Sequence, residues 1–129
     1  MRTVILGTAH GANVAGKHSP DGRLREYQYS RAMCRMVRDA LLARGVKCII
    51  DIEDEREPSL GARVTLVNRL VRQHGDCIYV SLHNNAAGND GRWHDARGFA
   101  AFVAPNASRE SQRLATLLHK HALKQGLGG

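Results

Sequence analysis

The sequence predicts an α/β layered domain with a mostly parallel central sheet flanked by helices. Short apolar, strand-like runs alternate with longer stretches of helical periodicity from one end of the chain to the other. At 129 residues, with 43% hydrophobic and 24% charged positions, the chain is sized for one domain that buries roughly 65–70% of its unfolded surface. No repeat, low-complexity tract or linker interrupts it, so residues 1–129 are read as a single domain.

The elements follow in order. Thr3 to Gly7 is a short buried strand, and residues 8–22 form a loop longer than a tight connection needs, which usually means function. From Leu24 to Arg44 the positions Met33, Val37, Ala40 and Leu41 recur at helical spacing until Gly45 stops them. Val46 to Ile52 is the second strand. Ser59 caps a second helix with the stripe Leu60, Val64, Val67 and Val71, which ends at Gly75. Asp76 to His83 is the third strand and Gly98 to Val103 a fourth. Ser108 then caps a helix carrying Leu114, Leu117, Leu118 and His121.

Composition narrows the function classes. The longest apolar run, residues 98–104, falls far short of the ~20 needed to span a membrane. The run after Met1-Arg2 is too short for a secretory signal, so the expectation is a chain made in the cytoplasm. Cys34, Cys48 and Cys77 are odd in number and lie in apolar segments, which suits reduced core residues and not a disulfide or zinc-finger framework. Lys and Arg total 19 against 12 Asp and Glu, a net charge of +7. Such a surface suits a polyanionic neighbour: nucleic acid, anionic lipid or an acidic wall polymer. Half of Tyr27, Tyr29, Tyr79, Trp93, Phe99 and Phe102 fall in core elements, so no base-stacking platform is visible and no nucleic-acid partner is expected.

Parallel sheets place their chemistry beyond the carboxyl ends of the strands. The first strand runs out into Thr8-Ala9-His10-Gly11 and the third into Ser81-Leu82-His83-Asn84-Asn85, so two histidines leave one sheet edge. Glu26 shares a helix face with Ser30, Met33, Val37 and Ala40, so it points inward at the first turn. A capping box would explain it, but needs Ser, Thr, Asp or Asn three positions earlier, where Arg23 stands. A favourable charge near the helix N-terminus is one account of Glu26; a bound cation is the better one, since a buried carboxylate without a partner is costly. Two imidazoles and one carboxylate form an open zinc set that leaves a position for water. Ser81 and Asn85, flanking His83, are candidates to fix its ring, and Asn85 and His18 are candidate substrate contacts. His94 and Asp95, like His18, read first as exposed loop residues.

Other motifs fall away. Gly11 to Lys17 fits most of a phosphate-binding loop, but His18 occupies the hydroxyl position and Ser19-Pro20-Asp21-Gly22 is a turn where a helix should open. There is no Gly-x-Ser-x-Gly elbow. His119 and His121, two apart on a helix, cannot chelate together. Arg63 and Asn68 lie off the apolar stripe of the second helix and read as surface residues.

Taken together, Gly7-Thr8-Ala9-His10-Gly11, Arg25-Glu26-Tyr27 and Ser81-Leu82-His83-Asn84-Asn85-Ala86 resemble the zinc-dependent N-acetylmuramoyl-L-alanine amidases of bacterial autolysins and phage endolysins. Leu60 to Arg63 with Asn68, and Ser111 to Ala115, resemble later segments of that family. The resemblance implies Zn2+ held by His10, Glu26 and His83, peptidoglycan as substrate with anionic wall polymers as further partners, and action on the cell wall. Two departures are visible. Gly7-Thr8-Ala9 replaces the family's Asp-Pro-Gly before the first histidine. The family's second glutamate, in a Val-Glu-x-x-Phe-like segment that assists proton transfer, has no counterpart here: the sequence closes at Gly126 to Gly129, and Glu110 does not match it. The chain therefore reads as an N-terminal portion of the domain, without the last strand and helix and with its catalytic acid-base group unknown. It is expected to bind metal with little turnover. A module that binds peptidoglycan without cleaving it is the alternative, and a basic nucleic-acid binder a third.

Overall fold

The computed structural model describes residues 2–85 and 90–128, which fall into two compact units, 1–93 and 94–129. The first unit holds β1 (Thr3–Thr8), α1 (Glu26–Ala43), β2 (Cys48–Ile50), α2 (Leu60–His74) and β3 (Cys77–Leu82). The strands form one parallel sheet in the order β2-β1-β3, with Ile5 level with Ile49 on one side and Tyr79 on the other. As the central strand, β1 is the most buried, and Ile5 is 0% exposed. On the sheet face under α1, Leu6, Cys48 and Ile50 meet Cys34, with Val4, Val37, Leu41, Val80 and Leu82 around them. Across the other face Tyr79 reaches over β1, where any side chain at Gly7 would run into its hydroxyl.

α1 starts two residues later than the periodicity suggests. The Leu24 carbonyl is taken by Ser19 N at 2.8 Å and Arg25 bridges to His18, so both stay extended and Glu26 opens the helix. Its inward row is Glu26, Ser30, Cys34, Val37 and Leu41, a slight rotation from the predicted one that leaves Ala40 exposed. Gly45, at φ +76, ends the last turn as expected, and Val46 N closes back on the Leu41 carbonyl at 2.9 Å. β2 is shorter than Val46 to Ile52 because the Asp51 carboxylate takes the ladder's place, accepting from Ile52 N at 2.6 Å and Thr8 N at 3.1 Å.

The Ser59 hydroxyl caps α2, accepting from Ala62 N at 3.1 Å. Of the stripe expected to face inward only Val67 is partly covered: Leu60 is 79%, Val64 51% and Val71 38% exposed, and no residue of α2 is fully buried. The better-covered row is Arg63, Leu66, Val67, Leu70 and His74. An ion pair accompanies this orientation. Arg63, read from sequence as a surface residue, reaches the fully buried Asp51 carboxylate at 2.7 Å, while Asn68 is exposed as expected.

In the second unit, α3 (Arg109–Lys124) starts at the Ser108 cap, whose hydroxyl accepts from Ser111 N at 3.1 Å. The predicted fourth strand, Gly98 to Val103, is not formed: no strand pairs with it among the described residues, and Phe99 N donates instead to the Gly128 carbonyl at 2.8 Å. An apolar run becomes a strand only when a neighbour takes its amides. On α3, His119 lies 6.3 Å from the Phe99 ring, Ala122 is buried, and His121 is exposed where the stripe placed it inward.

The cysteines are free. Cys34 is 0% exposed, and burial pushes its thiol up to about 11. At pH 8 a thiol reagent is expected to modify the half-buried Cys77 well before Cys34 and Cys48, as mass spectrometry of partly labelled protein would show. Equal rates would mean that the core opens readily.

Candidate metal centre

The two strand exits and the start of α1 converge. β1 ends at Thr8 and delivers His10; β3 ends at Leu82 and delivers His83; Glu26 is the first residue of α1. The Glu26 carboxylate lies between the imidazoles, with Oε2 3.4 Å from His10 Nε2 and Oε1 3.2 Å from His83 Nδ1. The rings stand edge to face at 5.3 Å between centroids, and one ligand atom from each residue lies within 4.8 Å of the other two. Glu26 is 8% exposed, whereas the His83 side chain is 47% exposed, so the group opens to solvent on the β3 side.

This donor set suits a cation. Ligand atoms held at 2.0–2.1 Å by a tetrahedral ion lie about 3.3 Å apart; each imidazole meets its own Glu26 oxygen at that spacing, and the three ligand atoms together, within 4.8 Å, would draw slightly closer around an ion. Nitrogen and oxygen donors with no thiolate are also the set that zinc takes at catalytic sites. His10, Glu26 and His83 therefore fit the ion that the sequence resemblance implies.

Several side chains hold the ligands in place. Ser30, 1% exposed, accepts from Ala9 N at 2.8 Å and donates to the Leu82 carbonyl at 2.7 Å, so one hydroxyl ties α1 to both strand exits. Asn84 N donates to Glu26 Oε1 at 2.8 Å, fixing the carboxylate from the β3 exit. Arg31, 3% exposed, donates to the carbonyls of Ala9, His10, Tyr27 and Asp54. The loop after β2 packs against the His10 loop: Ala12 N donates to the Glu55 carbonyl at 2.7 Å, and Asn13 clasps the Glu57 backbone through Glu57 N at 2.8 Å. Gly11 admits this approach, since a Cβ there would meet the Glu57 backbone nitrogen. The loop brings Glu57 Oε1 to 3.8 Å from His10 Nδ1, on the side of the ring away from Glu26. Gly11→Ala is accordingly expected to weaken metal binding by displacing the His10 loop, measurable by competition against a chromophoric chelator; unchanged affinity would show that the loops close independently.

Beneath the β1 exit lies a second polar centre. Asp51, its side chain 0% exposed, accepts from Thr8 N, from the Tyr79 hydroxyl at 2.9 Å and from Arg63 at 2.7 Å. It joins the ends of β1 and β2 and the middle of β3 to α2.

Neither residue flanking His83 has a described hydrogen bond to its ring. The Ser81 hydroxyl sits 3.4 Å from the Gly7 carbonyl, and Asn85 is exposed with no described hydrogen bond to His83. His18 is exposed and its Nδ1 meets the Ser19 carbonyl at 2.7 Å. The hydrogen bonds that tie the strand exits and Glu26 come instead from Ser30 and Asn84, with Glu57 and Arg31 close to the His10 segment. Of these, sequence periodicity marked only Ser30 as inward.

An α/β domain whose parallel strands deliver a His-Glu-His group beyond their carboxyl ends carries its candidate site where open sheets of this class bind their ligands. Residues 4–128 match the family model Amidase_3, N-acetylmuramoyl-L-alanine amidase, and the chain belongs to that family. Among solved structures it is similar to the catalytic domain of CwlV, an N-acetylmuramoyl-L-alanine amidase from Bacillus (Paenibacillus) polymyxa var. colistinus, at 22% identity and a TM-score of 0.76. That alignment covers 99% of this chain and 66% of the other. The CwlD amidase from Clostridioides difficile, solved in complex with the GerS lipoprotein, aligns at 18% identity and a TM-score of 0.76, over 96% of this chain and 66% of that one. These likenesses show the fold, and this chain spans just under two thirds of either structure. No curated protein matches the sequence. No helix among the described residues is long and apolar enough to cross a membrane.

Proposed function

We propose that this domain acts on peptidoglycan as a zinc-dependent amidase, on the amide between the lactyl group of N-acetylmuramic acid and L-alanine. The observation that carries the reading is the convergence of His10, Glu26 and His83, whose ligand atoms lie within 4.8 Å of one another at the carboxyl edge of the sheet. When bound there, zinc polarises a carbonyl and lowers the pKa of a bound water to about 7. His10 and His83 would present neutral ring nitrogens and Glu26 its charge, so the three side chains leave coordination positions for water and substrate. The exposed flank of His83 is the side from which an extended glycan-peptide could approach. Family membership of the chain supports the substrate class.

No Val-Glu-x-x-Phe-like segment occurs in the 129 residues. The reading for this chain is therefore metal binding and wall binding with slow turnover, since general acid–base help is worth typically 10²–10⁴-fold. The test is release of free L-alanine amino termini from purified cell walls, with and without added zinc. Zinc-dependent release sustains the amidase reading; wall binding without release under either condition would favour the binding-only module.

The net charge of +7 suits anionic wall polymers as an auxiliary partner. Wall pull-down is expected to weaken as salt rises from low to physiological ionic strength, where the Debye length falls to ≈ 8 Å. Salt-independent retention would remove the polyanion from the proposal.

A further inference from the structure

Arg31 is a buried cation that supplies no ligand atom to the metal centre. It is 3% exposed, and its hydrogen bonds all end on main-chain carbonyls: Nη1 on Ala9 at 3.0 Å and Tyr27 at 3.1 Å, Nη2 on His10 at 2.9 Å, and Nε on Asp54 at 2.6 Å. None of the described carboxylates pairs with it. Withdrawing a guanidinium from water without an ion pair is a costly way to fill a helix face, so its position calls for a reason. The reason lies one bond from the donors. His10 has φ +49, and among the described residues it is the only one other than glycine in the left-handed region. A histidine persists there only when its surroundings over-determine it.

We propose that Arg31 is the positioning residue for His10: its grip on the consecutive carbonyls of Ala9 and His10 holds the left-handed turn that aims the imidazole at Glu26 and His83. A planar fork can hold two neighbouring carbonyls while its third nitrogen ties Asp54, across in the loop after β2; a lysine ammonium has one nitrogen and cannot span them. The brace is independent of Ser30, which holds the amide of Ala9 and leaves the His10 peptide untouched. The inference rests on the reading of His10, Glu26 and His83 as a metal centre.

Two measurements on the full 129-residue chain test it. In the first, Co2+ is titrated as a spectroscopic probe against the unsubstituted protein and Arg31→Lys. The expectation is a retained circular dichroism spectrum with affinity lowered about 10–100-fold, the range for loss of a residue that orients a ligand. Unchanged affinity and an unchanged cobalt spectrum in folded Arg31→Lys overturn the proposal. In the second, done without metal, Arg31→Lys is placed in the native and the His10→Gly backgrounds and both are unfolded in urea. Glycine adopts the left-handed region without strain, so Arg31→Lys should lower the midpoint more in the native background than in His10→Gly. Folding lost in the native background but kept with His10→Gly supports the clamp. Equal shifts, or loss of folding in both, overturn it and make Arg31 a general structural residue. Failure of the unsubstituted chain to bind Co2+ overturns the metal reading alone, because the urea comparison contains no metal.

Discussion

Asp51→Ala is expected to unfold the sheet-bearing unit. Its carboxylate is fully buried and serves Thr8, Ile52, Tyr79 and Arg63 at once. Removing it leaves Arg63, whose side chain is 13% exposed, as a buried charge without its partner. Breaking a buried pair from one side costs about 3–5 kcal/mol, and the buried Thr8 amide left without an acceptor adds about 1–3 kcal/mol. A whole domain is stable by only about 5–15 kcal/mol, so a single substitution spends most of it. Asp51→Asn keeps the shape and one acceptor oxygen and should fall between. Urea unfolding followed by circular dichroism reads the effect; a midpoint shared by Asp51→Ala and the unsubstituted chain would mean that the buried network contributes nothing. The same network has an alkaline edge. Burial and then the Asp51 charge push the Tyr79 hydroxyl from 10.0 up to about 12. The folded state therefore keeps a proton that the unfolded state releases. Its contribution is intact below pH 10 and is lost as the pH climbs through 12, with tyrosinate absorbance as the readout.

The second large effect is on metal binding. Glu26→Gln is expected to lower zinc affinity by more than the ~10–100-fold typical of losing a residue outside the coordination sphere. Glutamine can still accept from Asn84 N, so the helix start should survive while the charge between the two imidazoles is gone. His83→Ala gives the complementary case. Its side chain is 47% exposed, so folding should change little while binding falls as steeply as for Glu26→Gln. Metal analysis of the purified proteins after dialysis decides it. Stoichiometric zinc in both variants would place any metal site elsewhere.

The parts of this arrangement that sequence could reveal are those written in periodicity. β1, α1 and β3 announce themselves through apolar spacing and glycine stops, and His10, Glu26 and His83 stand out because polar groups at strand exits and on an inward helix face need a reason. Long-range partners leave no such mark. Asp51 follows an apolar strand and could as well have faced solvent; only the folded chain shows Arg63 and Tyr79 arriving beside it. With that pairing on the covered side of α2, Leu60 and Val64 of its hydrophobic stripe lie outside. Gly98 to Val103 has a strand's composition, but composition supplies no neighbour. Arg31 hid for the opposite reason: a charged residue beside the apolar row looks like ordinary helix surface until its carbonyl partners are seen.

The Ser30 hydroxyl has a kinetic corollary. By joining Ala9 N to the Leu82 carbonyl, it sets the gap between the two histidine-bearing segments through the chain itself. On the proposed metal reading, capture of an ion would then demand little chain ordering. Trimming this one oxygen would let the segments breathe, trading a stiff receptor for a permissive one.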